Sequence, residues 1–190
     1  MEAFLISTGL VALAEMGDKT QLLSLLLAAR YRRPIPILLG IFAATLANHA
    51  GAGALGAWIT SAVGAEVMRG VLGLSFLAMA VWMLIPDRLD ETQGVQSARF
   101  GVFGTTALAF FLAEMGDKTQ VATVALAAQY AAFTAVVLGT TLGMMIANAP
   151  AVLLGERLTR RLPIGQIHRL AAALFLLLGL LALFDVGQVF

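Results

Sequence analysis

The chain has 190 residues, of which 60% are apolar and only 12% charged, with a mean hydropathy of +0.91. A soluble domain carries about twice that share of charge, so composition excludes an ordinary water-soluble globule and points to a polytopic membrane protein. The net charge of +1, spread without a dense basic cluster, excludes a nucleic-acid surface, and the absence of cysteine excludes disulfides and thiolate metal sites.

Six apolar stretches follow one another along the chain. The first, residues 3–29, is interrupted by the polar run EMGDKTQ at Glu15–Gln21. Its opening, MEAFLISTGLVALA, lacks the basic start of a signal peptide and carries Glu2, so it is expected to remain as part of the first span. The second stretch covers residues 35–63 and the third 67–85. The most polar segment, 86–99, then brings Asp87, Arg88, Asp90, Glu91 and Arg99. The fourth stretch, 100–128, is interrupted by a second EMGDKTQ at Glu114–Gln120; the fifth covers 133–155 and the sixth 164–184. Each can cross a hydrocarbon core, which takes roughly 20 helical residues. Backbone groups in lipid must be satisfied within their own segment, so the spans are predicted to be helices.

The halves are copies at an offset of 99. Glu15 recurs as Glu114, Ala28, Ala29 and Tyr31 as Ala127, Ala128 and Tyr130, Gly40 as Gly139, Leu55-Gly56 as Leu154-Gly155, and Phe76 as Phe175. Three spans per copy means the second copy enters from the opposite face. The predicted fold is therefore an all-α membrane protein of six transmembrane helices in two inverted three-helix repeats, a plan common among secondary transporters. The repeats are placed at 1–86 and 100–190, with a cytoplasmic linker at 87–99. Arg30, Arg32, Arg33, Arg88, Arg99, Arg157, Arg160, Arg161 and Arg169 all fall after spans one, three and five, against Arg69 alone on the other side. The positive-inside rule puts those three loops in the cytoplasm and both termini outside.

The chemistry is concentrated in the twin motifs. On a helix, Glu15, Asp18 and Gln21 share a face at three-residue spacing, and Lys19 comes within reach of Glu15. Gly17 permits a close neighbour or a local departure from helix. Glu114, Asp117, Lys118 and Gln120 repeat the set. Charges near the centre of a bilayer cost about 2.5–3.5 kcal/mol each even on a mild scale, so they are expected to face a shared polar cavity. Four carboxylates and two lysines leave a formal charge of −2, which matches a divalent cation. Oxygen ligands suit manganese, calcium or magnesium better than zinc or copper. A structural reading is also open, in which Lys19–Glu15 and Lys118–Glu114 pairs lock two helices, but it leaves Asp18 and Asp117 without a role. Asn48, His49 and Asn148 could line the same cavity or make interhelical hydrogen bonds. His168, beside Arg169, is expected at the interface, as are Trp58 and Trp82.

With paired motifs of the form Glu-x-Gly-Asp-Lys/Arg-Thr/Ser, at Glu15–Thr20 and Glu114–Thr119, the sequence resembles the cation/proton exchangers that include Golgi and chloroplast manganese/calcium transporters and bacterial manganese exporters. The resemblance spans the whole chain. It implies that Glu15, Asp18, Glu114 and Asp117 bind the transported cation and that Lys19, Thr20, Lys118 and Thr119 belong to the motif and its proton coupling. Gln21 and Gln120 join the metal set on spacing alone. The implied function is export of manganese, or else calcium, in exchange for protons across a bacterial inner membrane, without an enzymatic cofactor. A calcium/proton antiporter and a passive cation channel are the alternatives. An intramembrane aspartyl enzyme is a remote one, because catalysis needs acid and base in unlike environments and the twin motifs are alike.

Overall fold

The computed structural model describes residues 1–63, 65–85, 100–155 and 163–184. These hold eight α-helices and no strand: α1 (Glu2–Glu15), α2 (Lys19–Tyr31), α3 (Pro34–Ala62), α4 (Ala65–Trp82), α5 (Gly101–Glu114), α6 (Lys118–Tyr130), α7 (Phe133–Leu154) and α8 (Ile164–Phe184). The linker expected at 87–99 lies outside the described residues, as do Arg88, Arg99, Arg157, Arg160 and Arg161.

Three helices, α3, α7 and α8, are long and apolar enough to cross a membrane. Within α4, Val67–Trp82 is apolar but shorter, as is α5. The first and fourth stretches depart from the expectation of continuous helices. With 14 residues, α1 rises about 21 Å, short of a core about 30 Å thick. A break at Met16–Asp18 separates it from α2, and a matching break at Met115–Asp117 separates α5 from α6. Each of these stretches is two half-helices in series.

Polarity runs opposite to that of a water-soluble fold, which hides apolar groups and exposes charged ones. Leu5, Leu39, Trp58, Leu74, Phe100 and Leu154 are exposed, whereas Glu15, His49, Glu114, Asp117, Lys118 and Asn148 are buried. An apolar outer face and a polar interior suit a hydrocarbon solvent, where the charged groups must find partners inside.

The packing repeats when each helix is exchanged for its counterpart in the other half. Helix α1 packs on α7 as α5 packs on α3, α2 packs on α7 as α6 packs on α3, and α4 meets α8. The glycines show the same exchange at atomic detail. A Cβ at Gly40 would lie 2.9 Å from the Phe103 carbonyl oxygen, and one at Gly139 would lie 2.6 Å from that of Phe4. Phe4 and Phe103 are again 99 apart. Both positions hold glycine because the partner backbone leaves no room for a side chain. On α4 and α8, Phe76 meets its own counterpart Phe175, with ring centroids 6.3 Å apart.

Candidate metal centre at the paired helix breaks

Each break is a type II turn written by the motif itself. Asp18 donates its backbone N–H to the Glu15 carbonyl at 3.1 Å, with Met16 at φ −65°, ψ 113° and Gly17 at φ 89°. Asp117 donates to Glu114 at 3.1 Å over Met115 at φ −62°, ψ 120° and Gly116 at φ 74°. The third residue of such a turn needs positive φ, which glycine adopts without penalty. Asp18 and Asp117 then cap the next helices, each accepting the following N–H through Oδ1, from Lys19 at 2.7 Å and Lys118 at 2.8 Å. Gln21 and Gln120, three residues after the aspartates, reach back four residues. Their Oε1 atoms accept the N–H of Gly17 at 3.0 Å and of Gly116 at 2.7 Å. This is a capping box shifted by one residue, closed by glutamine. The positive ends of α2 and α6, each equivalent to about half an elementary charge, are thereby held beside the acidic groups.

The two breaks meet. One carboxylate oxygen from each of Glu15, Asp18 and Asp117 lies within 4.8 Å of the others, and all three residues are buried. The first two come from one half of the chain and the third from the other. The Thr20 hydroxyl donates to Glu15 Oε2, while Glu15 Oε1 has no hydrogen-bond donor among the described residues. Lys19 does not bridge to Glu15 along its own helix, as the structural reading would have it. Its Nζ stands 3.2 Å from Asp117 Oδ1, an ion pair that ties the halves together. The break is the reason: a turn between residues 15 and 19 removes the helical spacing that would have brought Lys19 over Glu15. Lys118 Nζ donates to the Ile85 carbonyl at 2.8 Å. Thr119 is buried, and Gln21 Nε2 donates to the Ala147 carbonyl at 2.9 Å.

Glu114, the fourth motif carboxylate, turns toward α3. Its Oε1 accepts the Thr45 hydroxyl at 3.0 Å, and its Oε2 lies 4.0 Å from His49 Nε2. The other interior candidates join helices. Asn48 donates to the Phe111 carbonyl at 3.0 Å. Asn148 accepts the Ser24 hydroxyl at 2.8 Å and donates to the Met144 carbonyl at 3.1 Å. His168, expected at the interface, is half-buried, and its Nε2 donates to the Met16 carbonyl at 2.8 Å, inside the first break.

Two residues at the site, Thr45 and Ser24, escaped the sequence reading, as did the contact made by His168. Thr45 carried a signal, because it precedes Asn48 by three positions and His49 by four and so shares their helix face. Ser24 stands in the same relation to Gln21. Nothing local marks His168, whose partner is 152 residues away.

Buried carboxylates from two half-helix junctions, with one lysine beside them, make an oxygen-rich cluster of the kind that could hold a hard divalent ion. Broken helices around such a site inside an apolar-faced bundle are the arrangement of a membrane cation transporter. The chain belongs to the family described as "Divalent cation/proton antiporter GDT1", whose model matches residues 3–91 and 102–188. A Vibrio cholerae protein described as "Putative manganese exporter" is 52% identical over 185 residues, covering 97% of this chain and 92% of its own length. Two rice proteins, GDT1-like protein 4 and GDT1-like protein 3, are each 28% identical over 201 residues. That covers 92% of this chain and 70% and 71% of theirs. No solved structure matches the chain. The family is one of transporters and not of enzymes.

Proposed function

We propose that this protein exports Mn2+ from the cytoplasm in exchange for protons, by alternating access around one site near the membrane midplane. The observation that carries the reading is the buried triad of Glu15, Asp18 and Asp117, drawn from both helix breaks. A site shared between halves changes its exposure when the halves rock against each other, which is what alternation requires. Membership of a divalent cation/proton antiporter family supports the exchange, and the 52% identical relative supports manganese as cargo. The triad's oxygens suit calcium as well, which is the second reading.

In this mechanism the deprotonated carboxylates take the ion from the cytoplasmic side. Protons from outside then neutralise carboxylates, release the ion and return inward. The exchange supplies the energy that efflux needs, because an inside-negative potential opposes each exported charge by about 2.3 kcal/mol per 100 mV. Lys19 limits the negative charge of the empty site. Glu114, Gln21 and Gln120 complete the proposed ligand set as the breaks rearrange. The two matched segments and the packing that repeats on exchange of halves support six spans in two inverted repeats. Both termini lie outside, and the loops after spans one, three and five lie in the cytoplasm of a bacterial inner membrane.

The test is flux in proteoliposomes. Mn2+ uptake driven by an imposed pH gradient, with matching proton movement, is the expected result. Mn2+ flux indifferent to that gradient identifies a passive channel instead, and Ca2+ flux that exceeds it makes calcium the cargo.

A further inference from the structure

Among the buried positions outside the motifs at which the two halves differ, one carries an imidazole. At the offset of 99, His49 on α3 corresponds to Asn148 on α7. Asn148 is fully engaged: its oxygen takes the Ser24 hydroxyl and its amide nitrogen donates to the Met144 carbonyl. His49 is not. Its side chain is fully buried, yet neither Nδ1 nor Nε2 has a hydrogen-bond partner among the described residues. Leaving a buried polar group without a partner is unfavourable. Its Nε2 lies 4.0 Å from Glu114 Oε2, an oxygen that likewise has no hydrogen-bond partner among the described residues. The other Glu114 oxygen is fixed by the Thr45 hydroxyl, so the free one is held in place.

That separation is a few tenths of an ångström wider than the one a shared ion produces, so a small approach of the two side chains would close it. Ligand atoms each about 2.2 Å from a first-row metal stand roughly 3 Å or a little more apart on neighbouring coordination positions. We propose that His49 and Glu114 form a second, mixed nitrogen–oxygen binding position beside the carboxylate triad, and that it selects transition-metal ions over calcium and magnesium. The triad alone offers only oxygens, which hard ions of both classes accept. An imidazole nitrogen is an acceptable ligand for first-row transition metals, whereas calcium and magnesium take oxygen. Asn148, spent on Ser24 and Met144, gives the other half no such position. The chain would thus carry one general cation site, common to both halves, and one selective position in the second motif's neighbourhood.

The inference rests on the metal-transport reading above, and the test separates the two. Purified protein in detergent is loaded with Mn2+, and 14N coupling to the bound ion is read by pulsed electron paramagnetic resonance. The chain has two histidines, so assignment needs few variants. Wild type and His168→Asn are expected to show imidazole coupling, and His49→Asn and His49→Gln to lose it while still binding Mn2+ at the triad. In proteoliposomes the same two His49 variants are expected to lose Mn2+ preference over Ca2+ by roughly 10-fold. The asparagine variant copies the residue of the other half and the glutamine keeps more of the volume, so a folded protein is available for the comparison. Bound Mn2+ without imidazole coupling in wild type, or unchanged preference in both variants, overturns the role of His49 and leaves the transport reading standing. Failure of wild type to bind any divalent ion overturns both.

Discussion

Glu15 and Glu114 hold matching places in the sequence and keep different company. Glu15 joins Asp18 and Asp117, whereas Glu114 is turned by Thr45 toward His49. The lysines differ in the same way: Lys19 bridges to Asp117 and Lys118 reaches the Ile85 carbonyl. Glu15→Gln and Asp117→Asn are expected to abolish Mn2+ flux in proteoliposomes, because each removes a charged ligand from the triad. Thr45→Val is expected to do less, lowering flux roughly 10-fold, as the loss of an orienting partner does at metal sites. Equal effects of all three substitutions would mean that Thr45 is itself a ligand. The residue types of the site were legible in the motif, and so was its oxygen chemistry. Which carboxylates meet was not. That is decided by side chains such as Thr45, whose partner lies 69 residues away.

The helix break belongs to the next scale, and the sequence marked it more fully than helical spacing did. Glu-Met-Gly-Asp fits a type II turn with glycine third, and Asp-Lys-Thr-Gln fits a capping box. Reading the same letters at three-residue spacing predicts one continuous face, and the break removes the Lys19–Glu15 pairing of the structural reading. The two glycines give the element its test. Gly17 and Gly116 both sit at positive φ, where an alanine costs about 1–2 kcal/mol. A Cβ at Gly116 meets open space, but one at Gly17 runs into the Ile164 side chain of α8. Gly17→Ala is expected to lower the thermal unfolding midpoint in detergent more than Gly116→Ala. Adding Ile164→Ala should recover the excess and leave the backbone strain. Equal losses in the two single variants would show that α8 does not press on the first break.

At the scale of the molecule, the repeat was legible from identities 99 apart, and the packing returned it in Gly40 against Phe103 and Gly139 against Phe4. The cross-half ion pair was not, because it depends on how the copies face each other. Orientation has a direct assay. Arg32 and Ala131 end α2 and α6 in the same left-handed turn, at φ 51° and 45°, and are 99 residues apart. An inverted arrangement puts the two turns on opposite sides of the membrane. The chain has no cysteine, so single cysteines report without background. Ala131→Cys is expected to react with an impermeant maleimide on intact cells, and Arg32→Cys only after permeabilisation. Labelling of both from one side would end the inverted reading. The ring pair of Phe76 and Phe175 carries this further. Equivalent residues touch only on the axis that relates two copies, so this contact needs no second kind of partner. A half-length ancestor could have buried the same phenylalanine against itself, with two molecules inserted in opposite directions. In this chain the two halves are not identical, and His49 stands where the other half has Asn148.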